Sequence, residues 1–183
     1  MNREEALSLL KENVKTENLV KHCLAVEAIM EKLAEELQED KEKWGIAGLV
    51  HDIDFEETKN SPEKHAVIGA DMLTGKVDEE AVRAVRAHNP DATGIQPEAK
   101  MDYALIASDA VSGLVIACAL VMPSKKLSDV DVSSIIKKFK SKDFARNCSR
   151  EKMLYCEKIG IEKERFFEIS LNALKGISKE LGL

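Results

Sequence analysis

All four histidines of the chain, His22, His51, His65 and His88, belong to one polar series completed by Asp52, adjacent to His51, and by Asp109. Each histidine sits on or at the end of a segment with helical apolar spacing, and Asp109 lies inside an apolar helical pattern. Imidazoles and carboxylates gathered in one site are a ligand set for divalent first-row metals such as iron, manganese, zinc or cobalt. Six candidate ligands exceed what one tetrahedral structural zinc takes, so the count predicts a catalytic site holding one or two divalent ions. His22, His51, Asp52 and Asp109 form the expected set of the first ion, and His65 and His88 complete the second. Asp52 is best placed to bridge them. Two ions roughly 3.5–4 Å apart share a hydroxide that is nucleophilic at neutral pH and neutralise charge on a phosphate oxygen. His51 and Asp52 are the expected catalytic pair.

Ligands so far apart in the chain must be brought together by helices, each offering a rigidly placed side chain to a common cavity. The punctuation predicts helices throughout. Asn2 caps a short helix to about Asn13. Thr16 opens a long one whose Leu19, Cys23, Val26, Met30, Leu33 and Leu37 form a stripe, with His22 on the core side. After a break near Asp40, Trp44, Ala47, Gly48 and His51 follow helical spacing, and 53–61 reads as a loop. His51 and Asp52 point about 100° apart on a helix, so they converge only if the helix ends at the site. Ser61-Pro62 predicts a cap and first turn, placing His65 in the first turn of a helix ending near Gly75. Asp78 caps the next, on which Val82, Val85 and His88 share a face until Asn89-Pro90-Asp91 ends it. A long apolar helix is expected from about Glu98 to Val121, with Asp109 on it and Asp102, two turns earlier, exposed. Shorter helices are expected near 130–139, 147–159 and 162–181. The fold class is an all-α bundle in one domain over 1–183, with a metal-binding core at about 16–122 and C-terminal helices at about 124–183 packed on it.

The composition fits that plan. The 183 residues suffice for one sizeable core, and aromatics at 4% leave Leu, Ile, Val, Ala and Met to build it. Cys23, Cys118, Cys148 and Cys156 lack C-x-x-C spacing and read as reduced thiols packed in the interior. The longest apolar stretch, Leu114 to Met122, falls short of the ~20 residues a span needs. Met1-Asn2-Arg3-Glu4-Glu5 lacks an apolar leader core, so no membrane partner is expected and the expected location is the cytoplasm. The net charge of −6 argues against affinity for a nucleic-acid polymer, leaving a small anionic molecule as the expected partner.

The order of these residues resembles the HD-domain superfamily of metal-dependent phosphohydrolases, named for its adjacent His-Asp. The likeness rests on His22, on His51-Asp52 within GLVHDIDFE and on Asp109 within IASDAVSG, and spans about residues 19–113. His65 within PEKHAVIGADML and His88 within VRAHNP resemble the dinuclear branch. The resemblance implies the all-α HD helical bundle, these six side chains as ligands and hydrolysis of a phosphorylated or nucleotide substrate. The superfamily also contains mixed-valent diiron oxygenases with a similar ligand set, and a non-catalytic module stabilised by its metal is a third reading. The chain departs from the HDIG pattern: Asp54 stands at its glycine and Phe55 where a lysine often follows. No Gly-Tyr-Pro signature of the cyclic-dinucleotide enzymes is present.

Outside the series, Lys142, Arg146 and Arg150 recur at four-residue spacing in a segment, 124–165, that is locally basic. If helical they form one cationic face, which predicts a substrate-phosphate site. Lys125 and Lys126 are less distinctive. Asp54 reads as a loop residue beside the site, and Phe55, Tyr103 and Phe144 as candidate platforms for a base.

Overall fold

The computed structural model describes all residues from Met1 to Leu183, and every regular element is helical. In α1 (Arg3–Asn13) the Asn2 side chain accepts the Glu5 amide, and the Glu5 carboxylate accepts that of Asn2. This reciprocal cap satisfies two otherwise orphaned donors. α2 (Glu17–Leu37) buries Cys23, Val26, Met30 and Leu33 along the predicted stripe. α3 (Lys41–Val50) is capped by Asp40, whose carboxylate accepts the Lys43 amide.

α2 and α3 pack with backbones almost touching. A Cβ at Gly48 would lie 3.0 Å from both Cα and N of Glu27. Those are backbone atoms and cannot yield, so the glycine sets how near the His51 end of α3 comes to the His22 end of α2.

The centre of the bundle is α8 (Lys100–Leu120), which packs against α2, α3, α6 (Glu79–Ala87), α9 (Val132–Lys140), α10 (Arg150–Met153) and α11 (Lys163–Gly176). Its mean hydropathy of 1.9 over an 18-residue window makes it long and apolar enough to cross a membrane by composition alone. The apolar run is thus longer than the Leu114–Met122 stretch suggests. What marks α8 as a core helix is that 67% of that window is buried against its neighbours. One cluster of 45 buried residues runs from Ala6 to Leu181, linking the histidine-bearing helices to the C-terminal ones.

Asp102, expected at the surface, is wholly buried. It ion-pairs with Arg83 and accepts the Glu98 and Ala99 amides, closing the start of α8. Its local part is a cap, a carboxylate in the first turn accepting the amides at the start of its own helix, and its ion pair comes from another helix. Residues 53–61, read as a loop, contain the short helix α4 (Phe55–Thr58). His65 does not lie in a helical first turn. A 3₁₀ turn (Pro62–Lys64) precedes it, its backbone is extended, and α5 (Val67–Leu73) begins only after Ala66, at φ +71°. The remaining short helices are α7 (Pro90–Thr93) and α12 (Ser178–Leu181). The four cysteines are free, as expected of packed thiols, and burial pushes Cys118 up to about 11 and Cys156 up to about 12.

Candidate metal centre

The six side chains of the series meet at one end of the bundle. His22 comes from α2, and His51 and Asp52 from the turn just past α3. His65 lies in the extended break before α5, His88 caps the C-terminal end of α6, and Asp109 sits midway along α8. α3 stops at Val50, the His51 backbone keeps helical angles as its C-cap, and the chain runs on in turns, with His51 and Asp52 both buried at the site.

Each histidine is oriented through Nδ1. Those of His51 and His88 donate to the carbonyls of Gly48, at 2.8 Å, and Val85. A carbonyl only accepts, so the proton of both rings sits on Nδ1 and the Nε2 lone pair is free. His65 Nδ1 donates to Asp54 Oδ1 at 2.9 Å. His22 Nδ1 meets Ser112 Oγ at 3.3 Å, and that hydroxyl donates onward to the Asp109 carbonyl. The four Nε2 atoms all converge on the Asp52 carboxylate. Those of His51, His65 and His88 lie 3.5, 3.4 and 3.6 Å from Oδ1, and that of His22 lies 3.6 Å from Oδ2. Asp109 Oδ1 is 3.2 Å from His22 Nε2 and 4.0 Å from His51 Nε2.

Two ligand groups share Asp52: His22, His51 and Asp52, and Asp52, His65 and His88, each close enough to hold one ion. The buried Nε2 of His51 has no hydrogen-bond partner, and the Nε2 atoms of His65 and His88 face each other at 3.1 Å. A buried lone pair left without a donor is costly, and two facing lone pairs need a proton or cation between them. The donor set therefore fits divalent metal.

The electrostatics agree. Burial alone would raise the Asp52 carboxyl, but His51, His65, His88 and His22 hold it well below the ordinary carboxylate range. Burial works the same way on Asp109, and the hydrogen bond to His22 together with the charges of His51 and His22 outweighs it, lowering the carboxyl. Burial pushes His51 down, keeping it neutral with its lone pair available. It also disfavours charge on His65, where the bonds to Asp52 and Asp54 more than compensate and lift the ring to about 9.

Asp54 is the residue that the sequence reading undervalued. It is fully buried and accepts from His65 Nδ1, from the Ala66 amide at 2.8 Å and from the Gly69 amide at 2.7 Å. One carboxylate thus orients a ring of the centre and caps α5 from twelve and fifteen residues away. A Cβ at Gly69 would press on that carboxylate at 3.1 Å, so the IGAD glycine leaves room for it. The available signal was the departure at Asp54 from the glycine of the HDIG pattern.

The basic face expected of Lys142, Arg146 and Arg150 does not form. Residues 141–149 are turns, not helix, so four-residue spacing does not align them. Lys142 and Arg146 are exposed. The Arg150 guanidinium spends its donors on six backbone carbonyls, those of Lys138, Phe139, Ser141, Phe144, Ala145 and Cys148. It is the internal brace of this loop.

The sequence profile of the HD domain matches residues 19–110, a span that contains all six side chains. An uncharacterized protein of Methanocaldococcus jannaschii is 31% identical over 153 residues, covering 78% of this chain and 86% of that protein. A ribonuclease Y of Lawsonia intracellularis is 33% identical over 99 residues, and a ribonuclease Y 2 of Bdellovibrio bacteriovorus 36% over 99. Each match takes in 54% of this chain but only 19% and 18% of the relative, so the chain spans under a fifth of the length of these ribonucleases. No solved structure matches the chain at comparable stringency.

Proposed function

The chain belongs to the HD-domain family, and from this premise we propose that it is a metal-dependent phosphohydrolase acting on a small phosphorylated or nucleotide substrate. The observation that carries the reading is the common orientation of the histidines, with every Nδ1 engaged and every Nε2 aimed at Asp52. His22, His51, Asp52 and Asp109 would hold one divalent ion and Asp52, His65 and His88 a second. Ions bound there supply Lewis-acid neutralisation of a phosphoryl oxygen and acidify a water molecule.

The residues of the chain set the geometry for that chemistry. The Gly48 and Val85 carbonyls and Asp54 fix three ring tautomers before substrate arrives, so little reorganisation remains for the reacting complex. Asp52, held ionised, keeps both oxygens available to bridge. Hydrolysis forms one bond from water oxygen to phosphorus and breaks the bond to the leaving oxygen, which gains a proton.

The printed name of the ribonuclease relatives raises a polymeric RNA substrate. The acidic balance of this chain, −6, and the loss of the expected basic face favour a small molecule instead. The test is hydrolysis of a panel of phosphomonoesters, nucleotides and short RNA, read as phosphate release from the esters and as shortened product from the RNA, by protein loaded separately with manganese, iron, cobalt or magnesium. Release from small esters that disappears in Asp52→Ala is the expected result. Substrate-dependent oxygen uptake without phosphate release, or no turnover with any metal, would overturn it.

A further inference from the structure

Beside the candidate metal centre, on the outer side of His65, lies a cavity of about 470 Å³, within the range of small-molecule sites. It lies between α4, the 3₁₀ turn and α7, so it exists because residues 53–61 fold instead of looping freely. Its wall combines one aromatic ring, Phe55, with Lys59, Glu63, Asn89 and Asp91.

Phe55 is one of only three large hydrophobic side chains left exposed, at 45%. Its ring stands perpendicular to that of His65, centroids 5.5 Å apart, so the platform is in direct contact with a candidate ligand. The other two aromatic candidates are already taken: Tyr103 packs edge-on against Tyr155, and Phe144 lies under the Lys138 ammonium. Asn89 gives its amide to the His65 carbonyl, and its Oδ1 remains an acceptor. Lys59, Glu63 and Asp91 are exposed at the rim.

We propose that this cavity is the subsite for the nucleoside part of a free nucleotide, with the base laid on Phe55 and its phosphate carried to the metal centre past His65. The wall sets two carboxylates, Glu63 and Asp91, and the acceptor Asn89 Oδ1 against the single cation Lys59, a balance that suits ribose hydroxyls and exocyclic amines and disfavours a run of phosphates. That contrast favours a free nucleotide over the end of an RNA chain. The inference rests on the phosphohydrolase reading of the adjoining centre, but its test does not require turnover.

The experiment is calorimetric titration of the metal-loaded chain with adenosine, ribose, adenosine 5′-monophosphate and a five-residue RNA, repeated on Phe55→Leu. Adenosine carries no phosphate, so its binding reports on the cavity whether or not esters are cleaved. Binding of adenosine but not ribose is expected, weakened about tenfold in Phe55→Leu as loss of base–aromatic stacking predicts, with metal content and melting temperature unchanged. The monophosphate should bind more tightly than the RNA. Adenosine binding no better than ribose, or equal affinity in Phe55→Leu, would overturn the subsite. Tighter binding of the RNA would overturn the assignment to a free nucleotide. If adenosine binds at Phe55 and no ester is hydrolysed, the hydrolase reading fails while the subsite stands. Hydrolysis of esters without nucleoside preference has the reverse meaning.

Discussion

Two polar clusters of this bundle end up in opposite states. Around Arg150 the guanidinium donates to six carbonyls and is consumed by its own loop. Around Asp52 four imidazoles are anchored on one nitrogen and left open on the other, with the buried His51 Nε2 wholly unpartnered. A folded chain normally satisfies its buried polar groups. Unsatisfied lone pairs that converge therefore distinguish a binding centre from a structural brace, and local charge does not.

The comparison can be broken most forcefully at Asp52, which both ligand groups share. Asp52→Ala should lose essentially all bound metal, and His51→Ala most of it, measured by elemental analysis of purified protein. Arg150→Ala should do the opposite. It strips six carbonyls of a charged donor and should cost about 3 kcal/mol of stability in denaturant melts, while metal content stays at the wild-type level. Loss of metal in Arg150→Ala with no change in stability would erase the distinction between the clusters. A smaller effect is expected at Asp54, which acts on the centre only through His65. Asp54→Asn should weaken the second metal equivalent about 10- to 100-fold, the usual effect of losing a partner that orients a ligand, and leave the first nearly intact. Calorimetric metal titration resolves the two steps.

The mildest test is pH. In metal-free protein His65 is raised to about 9 by Asp52 and Asp54, against an ordinary value of about 6.5. The protonated ring binds those carboxylates in the folded state. Its contribution to stability is therefore complete below about 6.5 and disappears as pH rises through about 9. Metal-free protein should lose stability across that window and metal-loaded protein should not, as thermal melts at several pH values would show.

Much of this was legible beforehand. Helix starts at Asn2 and Asp78 announce themselves locally, because a cap is a short-range hydrogen bond, and the stripe on α2 follows from 3.6-residue periodicity. The convergence of the six side chains was also legible, from the order in which they follow one another along the HD-domain span, although His65 reaches the centre from an extended break and not from a helical turn. What escaped were contacts that sequence spacing does not encode. Asp54 caps a helix that begins more than ten residues further on, and Asp102 is drawn inward by Arg83, which lies on another helix. Arg150 would share a face with Lys142 and Arg146 only on a helix, and residues 141–149 fold as turns. In each case the partner was a backbone group or a residue of a distant element, and only the assembled fold supplied it.

The central claim, that divalent metal is held at Asp52 by inward-facing histidines, is tested most directly by the metal stoichiometry of the chain purified without added metal, set beside that of Asp52→Ala. One to two equivalents of a divalent transition metal in the parent, and almost none in a variant that remains folded, is the predicted result. Equal metal in both proteins would contradict it.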